Sequence, residues 1–452
     1  MGKLFFARAL LADGWAKDVR IETDAEGRIA KVQPGASPAR ADHRGAIGLP
    51  GLANLHSHAF QRGMVGLAEV AGPTRDSFWT WRQVMYRFLE RLTPDDVEAI
   101  ASQLYVEMLD AGFTSVGEFH YLHHAPDGGW YADPAEMAGR IAAATRATGI
   151  GLTLMPVLYA QGGFGGAPLQ AQQRRFASTI DSFPKLLEGA RKHIADLPHA
   201  RLGIAPHSLR AVTPVSLAAV TDAFPDGPIH IHVAEQTKEV EDCRAWSGTT
   251  PVDWLLEHRP VDRRWCLIHA THMTAIETEA LARSGAVAGL CPQTEANLGD
   301  GIFDAPRFLA AGGRFGVGTD SHIRVDAAEE IRTLEYSQRL RDRTRNVLSA
   351  EGHSTGRTLF EAACRDGAAA IGRSAGVLAP GQVADIIALD ADHPVLAGRN
   401  DDTALDSWLF SGDRSVVRDV WVAGCHVVVE RRQATRAAIA QRFAATMRRL
   451  AE

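Results

Sequence analysis

Eight short apolar runs recur through the middle of this chain, and stretches of helical character separate most of them. They are GLANLHSH from Gly51, FTSVGEFH from Phe113, IGLTLMPVLY from Ile150, ARLGIAPH from Ala200, GPIHIHVAE from Gly227, RWCLIHA from Arg264, AVAGLCPQTE from Ala286 and RFGVGTDSH from Arg314. Runs this short and this apolar read as strands buried on both faces of a parallel sheet. Pro94 to Ala111 and Pro134 to Thr148 are two of the amphipathic or alanine-rich helices between them. Eight strands alternating with helices describe an α/β fold, a (β/α)8 TIM-like barrel, better than an open sheet.

The ends of the chain read differently. From Lys3 to Leu49 short apolar runs alternate with turn signals, and GQVADIIALD and RDVWVAGCHVVVE repeat that pattern near the other end. Hairpin strands are the natural reading. The expected organisation is a small β-sandwich domain formed by both termini, with residues 1–48 and 375–432 as its two parts. Residues 49–374 form the barrel and 433–452 a C-terminal helix.

Ionisable and amide side chains gather at the C-terminal ends of the eight strands: His56 and His58, Glu118 and His120, His207, His232 and Glu235, His269, Thr294 to Asn297, and Asp320. In a barrel of this kind that face carries the chemistry. His56 and His58 are two residues apart, so both imidazoles share one face of a strand. Alone, such a pair is commonly core or surface. Joined by His232 and Asp320 from other strand ends, it makes the three or four protein ligands that a catalytic zinc or other divalent ion takes. Gly316 and Gly318 share a strand face with Asp320, which predicts room near the barrel axis. A bridged pair of metals would call for a modified lysine on a middle strand, and none of the eight strands carries one, so one metal is expected.

Glu235 follows His232 by three residues. At that offset it can stand beside the metal's water without being a ligand, the place for a proton shuttle. Read blandly, it is a first-turn helix glutamate. His269 ends the next strand in LIHATH and can hydrogen-bond the water or the developing oxyanion.

Composition excludes other classes. The chain has 452 residues and a formal net charge of -6, so no basic field points to nucleic acid or an anionic membrane. Cys243, Cys266, Cys291, Cys364 and Cys425 are an odd, scattered set without C-x-x-C, which reads as buried thiols in a reducing compartment. The start, MGKLFFARALLADGW, has no signal-peptide h-region and no apolar run approaches ~20 residues. A cytoplasmic location is expected, and a homodimer is left open.

PGLANLHSHAFQR, HVAEQ, LIHATH and GTDSH together resemble the amidohydrolase superfamily in its mononuclear branch, with ligands from strands one, five and eight. More narrowly, HSHAFQRGMVG, FWTWRQVMYRF, GEFHYLHH, APHSLR, HVAEQ and CPQTEANLGDGIF resemble the formimidoylglutamate deiminase family, over nearly the whole chain. The resemblance implies hydrolysis of N-formimino-L-glutamate to N-formyl-L-glutamate and ammonia, in histidine degradation. It implies one zinc on His56, His58, His232 and Asp320, with Asp320 and His269 handling the water proton. Glu235 delivers a proton to the imino nitrogen, and Gln61 hydrogen-bonds the formimino group. The substrate's two carboxylates require local cations, for which Arg82 and Arg210 are the candidates, because a guanidinium clamps a carboxylate with two hydrogen bonds. Tyr121 and His207 are implied as further donors.

Two other readings stay open. A mononuclear zinc deaminase or chlorohydrolase acting on a nucleobase, nucleoside or related heterocycle would use the same metal set and Glu235; the two arginines speak against it. A catalytically dead barrel kept as a scaffold would have lost ligands, whereas every ligand position here is filled. His120, His123, His124 and His230 are expected outside the ligand set, in loop, core or supporting roles. Glu118 is expected to support a ligand histidine. Trp79 and Trp81 are expected to pack in a lid helix over the barrel mouth.

Overall fold

The computed structural model describes every residue except 1, 41 and 74. Its barrel strands are Leu52–Ser57, Phe113–His120, Gly151–Leu158, a fourth broken into Arg201–Leu202 and Ala205–Pro206, then Ile229–Val233, Trp265–His269, Val287–Leu290 and Arg314–Val317. The first four strands pair in parallel, as do the last four. Bridges from Ile204 to Ile229 and from Ser208 to His232 join the two arcs on one side, and Ser57 to Asp320 joins them on the other. The ring is therefore closed. Every residue of the first three strands is buried, because helices cover the outside and side chains fill the inside.

The break in the fourth strand contains Gly203. A Cβ there would lie 2.8 Å from Met155 Cγ and 2.9 Å from the Pro228 carbonyl oxygen. The chain passes too close to its neighbours for an ordinary side chain.

The first strand leads into a long excursion before its crossover helix, Pro94–Asp110. A short 3-10 turn, Ala59–Met64, carries Gln61, and the helix Phe78–Leu89 follows. Ser77 caps that helix by accepting the Trp79 backbone N–H, and Thr80 closes a reciprocal capping box, which fixes where the helix begins. Phe78, Trp81, Arg82, Met85 and Tyr86 then fall on the turns facing the barrel mouth.

Both termini build one seven-stranded sheet, in the order Cys425–Val428, Val417–Val422, Ile386–Leu389, His43–Pro50, Lys3–Leu11, Gly14–Thr23, Ile29–Gln33. The two ends of the chain meet where Ile387 stands opposite Leu49. Phe6 and Trp421 lie three strand steps apart, about 14 Å on a flat sheet. Their rings are nevertheless 5.9 Å apart, so the sheet is strongly curled around its own small core of Leu4, Phe6, Ile21, Ile386 and Trp421. Gly48 permits this, since a Cβ there would meet the Phe6 ring at 2.6 Å. The small β domain expected from both termini is present, its strands continuous in one curled sheet.

Arg373 and Asp385 tie sheet to barrel through two buried hydrogen bonds of 2.6 and 2.9 Å, and Asp385 also accepts the Ala423 N–H. The C-terminal helix Arg436–Ala451 docks on Pro94–Asp110 through the pairs Arg449–Asp96, Arg442–Glu98 and Arg436–Asp110. Four cysteines are buried, but Cys425 is exposed. The sequence expectation of five buried thiols fails there because Cys425 begins the edge strand of the terminal sheet. Among the described residues no helix is long and apolar enough to cross a membrane.

Candidate active site

His56, His58, His232 and Asp320 converge at the C-terminal mouth of the barrel, with one potential ligand atom of each within 4.8 Å of the others. The Nδ1 of His58 donates to the Phe119 carbonyl at 3.0 Å, and that of His232 to the His207 carbonyl at 3.1 Å. A carbonyl only accepts, so both Nδ1 atoms are protonated and both Nε2 atoms are bare lone pairs. These Nε2 atoms lie 3.1 and 3.0 Å from His56 Nε2. Asp320 Oδ1 stands 3.4 and 3.3 Å from His56 and His58. One N–H on His56 could serve at most one of these acceptors. The set is short of positive charge and fits a divalent cation.

Strained backbone also occurs here. Ala234, His269, Ala270, Asp320 and His322 all have positive φ, a conformation that side chains other than glycine rarely adopt. Asp320 lies three residues past its strand. Gly318 does not open space at the axis, contrary to the sequence reading: a Cβ there would lie 2.8 Å from the His56 backbone nitrogen. The glycine lets the first and last strands close the ring. Glu118 braces the ligand segment by accepting Ser57 Oγ at 2.6 Å, the Ala59 N–H at 2.7 Å and the Tyr105 hydroxyl at 3.1 Å. Burial nevertheless pushes its carboxyl up to about 7.

Around the ligands stands a ring of buried acids. Glu235 Oε1 is 3.8 Å from His269 Nε2, Asp320 Oδ2 is 3.9 Å from the same nitrogen, and Glu295 Oε1 stands 3.3 Å from the other ring nitrogen, Nδ1. Burial works against a charged His269, but the Glu235, Glu295 and Asp320 carboxylates outweigh it and lift the imidazole to about 10. Burial pushes His56 down to about 3 and lowers His58 and His232 as well, which suits neutral ligands. Burial alone would raise Asp320, yet the hydrogen bond and charge of His56 hold it below the usual carboxylate range. Burial raises Glu235. A cation among the ligands would oppose the charge on His269.

A pocket opens onto this cluster. Gln61, Arg82, Tyr121, His207, Arg210, Glu235 and His269 all line it, together with His58, His232 and Asp320. Gln61 donates to the Tyr121 hydroxyl at 2.8 Å, and its carbonyl oxygen is buried without a partner. Arg82 and Arg210 each bury an unpartnered Nε. Arg210 has only loose ion pairs, 3.8 Å to Glu235 and 3.8 Å to Glu239. Burial, then the Arg210 charge, lowers His207 well below its ordinary value, keeping it neutral.

The residues left out of the site stand apart. His123 and His124 hold the Val157 and Ala177 carbonyls, and His230 holds Ala370. Sequence reasoning missed Tyr159 and Phe176 in the pocket wall, and Glu239 beside Arg210; it placed Glu295 on the working face without giving it a partner. Tyr159 ends the third strand run, a position that the strand-end pattern marks.

A model of the amidohydrolase family matches residues 47–427, and one described as formimidoylglutamate deiminase HutF, N-terminal domain, matches residues 1–46. A curated formimidoylglutamate deiminase of Pseudomonas aeruginosa is 53% identical over 436 residues, 96% of each chain. The chain belongs to the amidohydrolase family, in its formimidoylglutamate deiminase branch. A crystal structure of an amidohydrolase from Brucella melitensis matches this amidohydrolase at a TM-score of 0.96 and 52% identity, over 100% of both chains. An adenosine deaminase from Xanthomonas campestris with bound zinc matches at 0.81, with 21% identity over 99% of this chain and 98% of its own. At that identity the likeness shows the barrel-plus-sheet fold.

Proposed function

We propose that the chain hydrolyses N-formimino-L-glutamate to N-formyl-L-glutamate and ammonia, a step of histidine degradation. One observation carries the reading. Two arginines with unpartnered buried N–H groups share the pocket of a three-histidine, one-aspartate cluster, so a hydrolytic centre faces a site wanting a dianion. The name of the 53% identical relative supports the same substrate.

His56, His58, His232 and Asp320 would hold one divalent ion, with zinc the first choice for this donor set. When bound, that ion supplies Lewis acidity that makes water a nucleophile near neutral pH. The chain's own residues do the rest. Arg82 and Arg210 take the two carboxylates, with Tyr121 and His207 as further donors, and so fix the formimino carbon over the cluster. The free Gln61 carbonyl accepts a formimino N–H. Asp320 takes the proton of the attacking water, and His269 steadies the oxygen as charge develops on it. Glu235 carries that proton to the imino nitrogen, and a second proton, given up by the added hydroxyl as the formyl C=O forms, lets the nitrogen leave as ammonia.

Zinc-loaded protein offered N-formimino-L-glutamate and a panel of purines and pyrimidines should release ammonia from the first alone. Release only from a heterocycle would replace this reading by a nucleobase or nucleoside deaminase.

A further inference from the structure

The helix Phe78–Leu89 sets an aromatic ring beside both guanidiniums assigned above to substrate. The Arg82 guanidinium carbon stands 4.6 Å from the Trp79 ring centre, and that of Arg210 stands 5.8 Å from the same centre. Phe78 stands at 5.8 and 6.0 Å from the two. The arginines come from different parts of the fold, one on this helix and the other in the loop after the fourth strand. Both line the same pocket. Neither makes a hydrogen bond to a carboxylate among the described residues: the buried Nε of each lacks a hydrogen-bond partner, and Arg210 has only ion pairs at 3.8 Å to Glu235 and Glu239. Two like charges converging in a desolvated pocket repel each other. The electron-rich face of an indole attracts a cation, and of the aromatic side chains it does so most strongly.

We propose that Trp79 is a positioning residue that sets the spacing of Arg82 and Arg210, and through that spacing selects the chain length of the dicarboxylate substrate. The proposal rests on the deiminase reading above. Trp79 does not itself line the pocket, so it acts through the arginines. A ring against which both cations lean fixes each relative to the other. Two carboxylates of one molecule can then engage both arginines only at one separation. A substrate one methylene shorter reaches one guanidinium and leaves the other unpaired, which is where a charged site discriminates.

The test uses the zinc-loaded full chain and the variants Trp79→Leu and Trp79→Phe, assayed for ammonia release from N-formimino-L-glutamate and N-formimino-L-aspartate. Trp79→Leu is expected to raise KM for the glutamate compound about tenfold with kcat within about twofold. Its kcat/KM preference for glutamate over aspartate should fall at least about fivefold, with metal content unchanged. Trp79→Phe keeps a ring face and should recover most of the preference. An unchanged preference in Trp79→Leu, a joint loss of kcat and metal, or a Trp79→Phe as impaired as Trp79→Leu would each overturn the proposal. Wild-type protein that releases no ammonia from either compound would instead overturn the deiminase reading, and this proposal with it.

Discussion

The Nε2 atoms of His56 and His232 stand 3.0 Å apart, although 176 residues separate the two in the chain. They sit at the ends of the first and fifth barrel strands, and the backbone carbonyl accepting from His232 Nδ1 leaves its Nε2 as a lone pair aimed at the first. Such a contact is repulsive or half-satisfied until a cation joins it.

Chelation should therefore remove about one equivalent of metal together with turnover, and added zinc should restore both. His232→Ala should bind metal poorly and stay inactive after zinc is added. A His232→Ala protein that keeps a full equivalent by elemental analysis would take that residue out of the ligand set.

Glu235→Gln keeps the side chain's shape and its distance from His269 but cannot carry a proton. Turnover should fall by about 10²- to 10⁴-fold with metal content intact. Near-normal kcat would remove Glu235 from the proton path.

Arg210→Met removes one carboxylate clamp and leaves Arg82. The expected result is a rise in KM of about 10- to 100-fold, the loss of a charge-assisted bidentate pair, with the metal untouched. A fall in metal content instead would make Arg210 a structural partner of Glu239.

Asp385→Ala breaks the buried pair with Arg373 between sheet and barrel and leaves the guanidinium without its carboxylate. Chemical denaturation should show a loss of about 3–5 kcal/mol, while kcat measured below the unfolding transition stays near normal. A loss under about 1 kcal/mol would mean that the sheet is held by its apolar contacts alone.

Much of this molecule is legible in its sequence because a barrel strand is short, apolar and ends on the working face. The residues at those ends, from His56 to Asp320, needed only the strand pattern to be brought together. The need for glycine at 203 is not legible, since it depends on the chain passing between Met155 and Pro228, a contact between distant segments. The pairing of Ile386–Leu389 with His43–Pro50 is equally invisible locally, because each strand satisfies the same alternation with any partner. Gly318 was read as room at the axis and instead lets His56 approach. Glu239 and Glu295 look like ordinary first-turn helix acids, and only the docking of their helices buries them against Arg210 and His269. The sequence pattern places Trp79 with Trp81 in lid packing. Trp81 lines the pocket, whereas Trp79 meets two arginines, a role set by where the helix lands on the barrel mouth.

The central claim concerns which carbon–nitrogen bond of the formimino group breaks. Carbon-13 NMR of the reaction with N-formimino-L-glutamate labelled at the formimino carbon reads this directly. The account predicts that the label appears in N-formyl-L-glutamate, with ammonia released one to one. Label in formamide, with free glutamate as the other product, would contradict it.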